Sequence, residues 1–192
     1  MQAMKRRQWL ASAAALAAAP WARAQASDSN WPSRPIRLVV PGPPGGGTDI
    51  LARLLGEKLA AALKQAVIID NKPGANGMLA SAEVARAAPD GYTLLFSFAS
   101  AMAINPSLYT RAPDPVKDFE AVAQIGLTGN VLLASPSLPV RSFKELVAYA
   151  KARPGELSYA SWGNGSGGHL TMESPLQRTG LRMTHGPHKG TA

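Results

Sequence analysis

The sequence predicts an α/β fold with parallel sheets, and three observations carry that reading. Short apolar runs of strand type alternate with segments of helical period. The runs are rich in β-branched residues and little interrupted by polar ones, as in "IRLVV" and "AVIID", which suits strands covered on both faces. Twice, at 36–64 and again at 157–177, such a run passes through a glycine-rich loop straight into a helix.

In chain order, residues 25–35 are a polar, proline-containing lead-in, and 36–40 is the first strand. Residues 41–47 form a Gly/Pro loop. From 48 to 64 the apolar residues Ile50, Leu51, Leu54, Leu55, Leu59 and Leu63 share one stripe. Thr48 is placed to cap that helix, and Asp49 sits in its first turn, where the dipole favours a carboxylate. Residues 66–70 are the second strand and "NKPGANG" a turn-rich loop. An Ala-rich helix over 78–88 is stopped by Pro89-Asp90-Gly91, and 92–98 is the third strand. Residues 99–130 are less regular, and "PDPVKDFEAVAQIG" reads as a connection with a short helix or strand. Residues 131–135 predict another strand. The helix over 142–153 has Ser142 as cap and Glu145 three residues on, with Pro154-Gly155 ending it. A strand over 157–162, the "GNGSGG" loop, a helix over 169–177 that Pro175 should cut or kink, and a strand over 181–185 complete the series.

Bulk numbers set outer limits. The chain has 192 residues, 46% apolar and 17% charged, which is ordinary globular composition. It has no cysteine, which excludes disulfides, thiolate metal sites, cysteine nucleophiles and cysteine-linked lipid. Residues 1–24 combine a basic head (Lys5, Arg6, Arg7), a short Ala/Leu run and the small-x-small pattern Ala22-Arg23-Ala24. They read as an export signal cleaved after Ala24 or Ala26, rather than an ordinary N-terminal helix. Arg6-Arg7 suits the twin-arginine (Tat) route, and Sec export is equally compatible. The signal holds four of the 20 basic residues and none of the 12 acidic ones, so the formal charge falls from +8 to +4 without it. That modest excess suits a small anionic ligand. With no long basic run and few aromatics among the cations, no nucleic acid partner is expected.

Each glycine loop lacks a part that the better-known loop chemistries need. Gly42 and Gly47 have the spacing of a triphosphate loop, but Thr48-Asp49 follows where Lys-Ser/Thr is needed. The 163–168 loop matches G-x-G-x-x-G between strand and helix, yet no acidic residue follows Glu173 to hold a ribose. A dinucleotide-dependent oxidoreductase built on that loop is therefore the alternative rather than the leading reading. His185-x-x-His188 lacks a third ligand for a metal, and no G-x-S-x-G elbow exists. No catalytic residue, cofactor or metal is expected. His169 either donates to a bound anion or serves as a capping and packing residue. What remains is two neutral loops at helix N-termini, a design that holds a carboxylate through N–H groups, hydroxyls and water.

Several stretches carry a family resemblance: "WPSRPIRLVVPGPPGGGTDILARLLGEKL", "VIIDNKPGANG", "APDGYTLL", "AINPSLY", "DFEAVAQIG", "SFKELVAYAKARPGELSYASWGNGSGGHL" and "MTHGPHKGTA". Together they resemble the Bug/TctC proteins, the extracytoplasmic solute receptors of tripartite tricarboxylate transporters. The resemblance implies a type II periplasmic-binding-protein fold of two lobes that close on a small carboxylate, a periplasmic location, membrane transporter components as partners, and a monomer when full length. It divides the chain into a signal over 1–24, a first lobe over 25–125 and part of a second lobe over 126–192. It carries the ligand site onto Pro43, Pro44, Gly45, Gly46, Thr48 and Asp49 of the first loop. Ser97 and Ser100 after the third strand, and Ser161, Asn164, Gly165, Ser166 and His169 of the second loop, complete it. Gly42 stands where family members commonly have an aromatic, so one cleft wall would be missing. Members are also longer than this chain, so an incomplete second lobe, an impaired copy or a non-functional gene remnant is expected, with exposed core and sheet edges.

Overall fold

The computed structural model describes residues 31–188 and Gly190; the expected export segment lies outside the described residues. Strand β1 (Ile36–Val40) is the middle of a three-stranded parallel sheet, between β2 (Val67–Asn71) and β3 (Thr93–Leu95). Ile36 pairs with Val67 and Val40 with Asn71, while Arg37 to Val39 pair with Thr93 to Leu95. Central position explains the composition: Val39 and Val40 are fully buried. The third strand is shorter than the expected 92–98, although the Arg37 amide to Tyr92 carbonyl and Phe96 amide to Val39 carbonyl bonds continue the ladder by one residue at each end.

Helix α1 (Gly47–Leu63) covers one face of this sheet. Leu38, Val40, Ala52 and Phe96 form the core there, with Leu55, Val67, Ile69 and Leu94 packed around them. The expected leucine stripe is only partly buried, with Leu55 against the core and Leu59 and Leu63 half-buried. Ile50, Leu51 and Leu54 are about half exposed, and the face turned to the sheet carries Ala52 and Gly56. Close approach is the reason: a Cβ on Gly56 would lie 3.1 Å from Ile69 Cδ1, so small residues are selected where helix and sheet meet. The helix cap also lies two residues earlier than the expected Thr48. Gly46 is the N-cap, in extended conformation, and its carbonyl accepts the first helical bond from Ile50.

A 3₁₀ turn (Ala75–Gly77) leads into α2 (Met78–Val84), shorter than the expected 78–88 because 3₁₀-type bonds close its end. Arg37 ties the layers together, donating to Asp70 on β2 and to Glu83 on α2. Its guanidinium holds the Glu83 carboxyl below the usual carboxylate range. After β3, a π-helical turn (Ser100–Ile104) runs into the short α3 (Asn105–Leu108).

From Arg34 onward the chain forms one compact unit, which also holds a second, two-stranded parallel sheet. It pairs β4 (Ser158–Ser161) with β5 (Thr184–Pro187), and is preceded by α4 (Phe143–Lys151). Ser142 caps α4 as predicted by accepting the Glu145 amide, while the Glu145 carboxylate reaches back to the Arg141 amide. Helix α5 (Gly167–Thr179) starts before His169 and runs through Pro175. The donor that proline lacks would have met the carbonyl of Thr171, an exposed residue whose carbonyl water can satisfy. Tyr159, Met172 and Leu176 form this half's core, with Leu181 and Met183 against it. The last strand lies three residues later than expected, since 181–183 forms the link from α5.

One expected strand is absent. Residues 131–135 have no strand partner among the described residues, and Val131 and Leu133 are more than four-fifths exposed. A strand exists only where a neighbour accepts its ladder bonds, so β-propensity alone does not make one. The 113–126 stretch likewise carries only a turn, braced by Asp114 and Asp118, and no helix or regular strand.

Candidate functional site

The first glycine loop leaves the C-terminal end of β1, the usual ligand edge of an α/β sheet. The Gly46 amide bonds to the Pro43 carbonyl, closing the turn. Pro44 and Gly45 are exposed and Pro43 is half-buried. Asp49 lies beneath the loop. Its carboxylate, 2% exposed as a residue, accepts from the Gly45 amide at 2.9 Å, from Arg53 Nε at 2.9 Å and from Asn71 Nδ2 at 3.0 Å. Asn71 Nδ2 also donates to the Gly42 carbonyl. The Arg53 bond, then the Gly45 amide, hold the Asp49 carboxyl at about 2, well below its ordinary 3.8. Asp49 is therefore a brace, and Arg53 offsets its charge. The Gly47, Thr48 and Asp49 amides are first-turn donors with no helical acceptor, and no side chain caps them. A Cβ on Gly42 would stand 3.4 Å from Thr48 Cβ, so a side chain at 42 would reach across Thr48.

The second loop is braced by serine hydroxyls and imidazole rings. Ser166 is fully buried and caps α5, its Oγ accepting from the His169 amide at 3.2 Å. Ser161, at the end of β4, accepts the Gly163 amide, and its Oγ lies 2.8 Å from His185 Nε2. His169 Nδ1 accepts the Gly165 amide at 3.2 Å, which sets Nδ1 as the unprotonated nitrogen and turns the ring inward. That ring stacks on His185 at 4.2 Å, and His185 stacks on Tyr159 at 4.8 Å. Burial, and then the neighbouring His169, lower the His185 pKa. Burial and a close hydrogen bond to Glu173 raise that of Tyr159. Asn164 is exposed at the tip. Gly165 has φ +71, and a Cβ there would meet Leu108 Cδ1 at 2.7 Å, so both its conformation and its contact require glycine.

Two asparagines that the sequence reading did not single out join the loops. Asn76 Nδ2 donates to the Gly165 carbonyl at 3.0 Å and to Asn105 Oδ1 at 2.8 Å, and Asn105 Nδ2 donates back to the Asn76 carbonyl. Ser100, 5% exposed, donates to Asn76 Oδ1. Ser97 Oγ is buried without a hydrogen-bond partner. The next glycine, Gly77, packs against Pro41, Phe98 and Ala101, and Gly190 against Pro43. The structure thus gathers the first loop, the 75–77 turn, the 97–105 segment and the second loop. The available signals for Asn76 were its Asn-Gly pair, which favours left-handed backbone, and for Asn105 its place in "AINPSLY".

Comparison with known proteins shows the family and the fold. The family model described as "Tripartite tricarboxylate transporter family receptor" (TctC) matches residues 51–192. The chain is 41% identical to the protein BugT of Bordetella pertussis, over 88% of this chain and 52% of the relative. Among solved structures it is similar to R. palustris Rpa4515 with adipate, at TM-score 0.79 and 40% identity, covering 83% of this chain and 54% of that one. It is also similar to MatC from Rhodopseudomonas palustris with bound malate, at TM-score 0.66 and 31% identity, covering 84% and 55%. The chain spans about half the length of the relatives it matches. With the family model matched over most of its length, the chain belongs to the TctC family of tripartite tricarboxylate transporter receptors.

Proposed function

We propose that the protein is a periplasmic receptor that captures a small carboxylate and presents it to the membrane components of a tripartite tricarboxylate transporter. The observation that carries this is the gathering of two strand–loop–helix units through Asn76 and Gly165, each with first-turn amides available to an anion. Arg53 on Asp49 removes the repulsion that a bare carboxylate beneath the first loop would exert on an anion. Adipate and malate, bound to two similar proteins, are both dicarboxylates, which supports the substrate class.

The ligand would lie along Pro43, Pro44, Gly45, Gly46 and Thr48 of a first lobe (25–125). It would face Asn164 and the first-turn amides of Gly167 and Gly168 from a second lobe (126–192). Ser97, a buried hydroxyl with unused bonding capacity, is the further donor of the first lobe. Ser100, Ser161, Gly165, Ser166, Asp49 and His169 act by holding the loops. No catalytic step is assigned. In the nearest nucleophile–base pair, Ser161 and His185, the serine is buried and its hydroxyl is bonded to the Gly163 backbone. Export by the Tat or Sec route would place the receptor in the periplasm, as a monomer.

Calorimetric titration of the full chain tests the reading, with adipate, malate and tricarboxylates as ligands and adipamide as the uncharged control. Saturable binding of at least one carboxylate and none of adipamide is expected. Absence of binding across the panel, or equal binding of the diamide, would sink the carboxylate assignment.

A further inference from the structure

Asn76 stands at φ 51 and ψ 38, a left-handed conformation that asparagine and glycine adopt at least cost. Its side-chain amide is fully committed. Both Nδ2 hydrogens are given away, one to Asn105 Oδ1 at 2.8 Å and one to the Gly165 carbonyl at 3.0 Å. Oδ1 accepts from Ser100 at 3.4 Å, and the backbone carbonyl accepts from Asn105 at 2.9 Å. Asn105 is 1% exposed and Asn76 half-buried, so the Asn105 side of this reciprocal pair is shielded from water. The orientation follows from the partners: a flipped Asn76 amide would set its oxygen against two acceptors.

Gly165 is 89 residues away and belongs to the second loop. Its amide is held by His169 Nδ1 and its carbonyl by Asn76, so the peptide planes on both sides of Gly165 are pinned. The next residues are Ser166, the α5 N-cap, and Gly167 and Gly168, whose amides open the helix. On the other side of Asn76, Gly77 packs against Pro41 at the root of the first loop. Asn76 thus holds the second loop directly, its neighbour Gly77 packs at the root of the first, and its side chain keeps no free donor.

We propose that Asn76 is a positioning residue for carboxylate capture. It fixes the direction in which the α5 amides face and the separation of the two loops, and affinity depends on it although it does not touch the ligand. The inference rests on the carboxylate reading of the site. Preorganised donors bind more tightly than donors that must be ordered on binding, which is why a latch with both amide hydrogens committed should register as affinity.

The test uses the full chain and two variants. Asn76→Gly keeps the left-handed backbone and removes the amide. Asn76→Asp keeps the size and the Ser100 bond but places a carboxylate against the Gly165 carbonyl and Asn105 Oδ1. Backbone hydrogen exchange without ligand and adipate titration are measured on all three proteins. In both variants we expect exchange at 163–169 to rise about tenfold, exchange in β1 to stay unchanged, and adipate affinity to fall about tenfold. Unchanged affinity in Asn76→Gly would overturn the assignment, whether or not the loop loosens, because a merely structural asparagine would leave ligand binding intact. An unsubstituted chain that binds no carboxylate would instead overturn the site reading beneath it.

Discussion

The two strand–loop–helix units share a plan and differ in what braces them. Under the first loop lies a buried carboxylate, Asp49, paired with the exposed Arg53, with Asn71 completing its partners. Under the second lie two serine hydroxyls and two stacked imidazoles, with the Glu173 carboxylate 3.8 Å from His169 Nε2. The first helix opens on an uncapped glycine and the second on a capping serine. The first unit sits on a three-stranded sheet and the second on a two-stranded one. Glycine supplies the turn in both. What stands beneath the glycine decides which amides are spent inside the protein and which face outward.

The largest effect that separates the halves should come from their cores. Leu38→Ala should cost about 3 kcal/mol, and Leu176→Ala, in a smaller cluster that can collapse around the gap, about 2 kcal/mol. Urea denaturation measures both. If Leu176→Ala leaves β1 exchange untouched, the halves unfold separately; equal loosening everywhere would show one cooperative unit.

The bracing of the first loop comes next. Asp49→Ala leaves the Gly45 amide without its acceptor and strips a carboxylate partner from Asn71 and Arg53, and should cost about 2 kcal/mol. The same term has an acid signature. Because the folded pKa is about 2 against 3.8 for the free group, this stability is full at neutral pH and is lost as pH falls from about 4 towards 2. A variant melting like the parent between pH 5 and 7 would remove Asp49 from the comparison.

Ser166→Ala should cost about 1 kcal/mol, the usual loss of a helix cap, and should raise exchange at the His169 amide while leaving α1 unchanged. Exchange that rises equally in both helices would contradict independent bracing.

The smallest expected effect is a mild pH dependence confined to the second unit. Partial burial, and then the neighbouring His169, lower the His185 pKa against the opposing pull of Glu173, so its folded pKa lies below the unfolded value of about 6.5. The unfolded chain binds the proton first, and stability from this group is present above that value and declines as pH drops below it. Exchange mapped at pH 7.5 and 5.5, corrected for intrinsic rates, should loosen 161–169 and β5 before the first loop. Parallel loosening of both loops would show that the histidines are not the source.

Local pattern located most elements and missed others for identifiable reasons. The strand of 36–40 was legible because a buried central strand is a run of apolar residues. The cap at Ser142 was legible because capping involves residues three positions apart. The strand expected over 131–135 required a neighbour that local sequence cannot report. The face of α1 was misread because leucines mark hydrophobicity, whereas close packing on the sheet selected Ala52 and Gly56. Within the candidate site, the loops were visible as glycine clusters. The inward turn of Asp49 and His169 was not, since their partners Asn71 and His185 lie on other strands. Asn76 and Asn105 escaped notice because an asparagine in a turn and one before proline have ordinary local explanations.

By itself the sequence determined what depends on neighbours along the chain: alternating strands and helices, two glycine turns, a capped α4, and the absence of thiol chemistry. Tertiary structure alone decided which donors remain open. It set Asn71 against the Asp49 carboxylate, stacked His185 on the His169 ring, and brought Asn76 to a carbonyl 89 residues away. The physical reason is that a hydrogen bond is settled within about 3 Å of space, and only folding sets distances of that size between residues far apart in sequence.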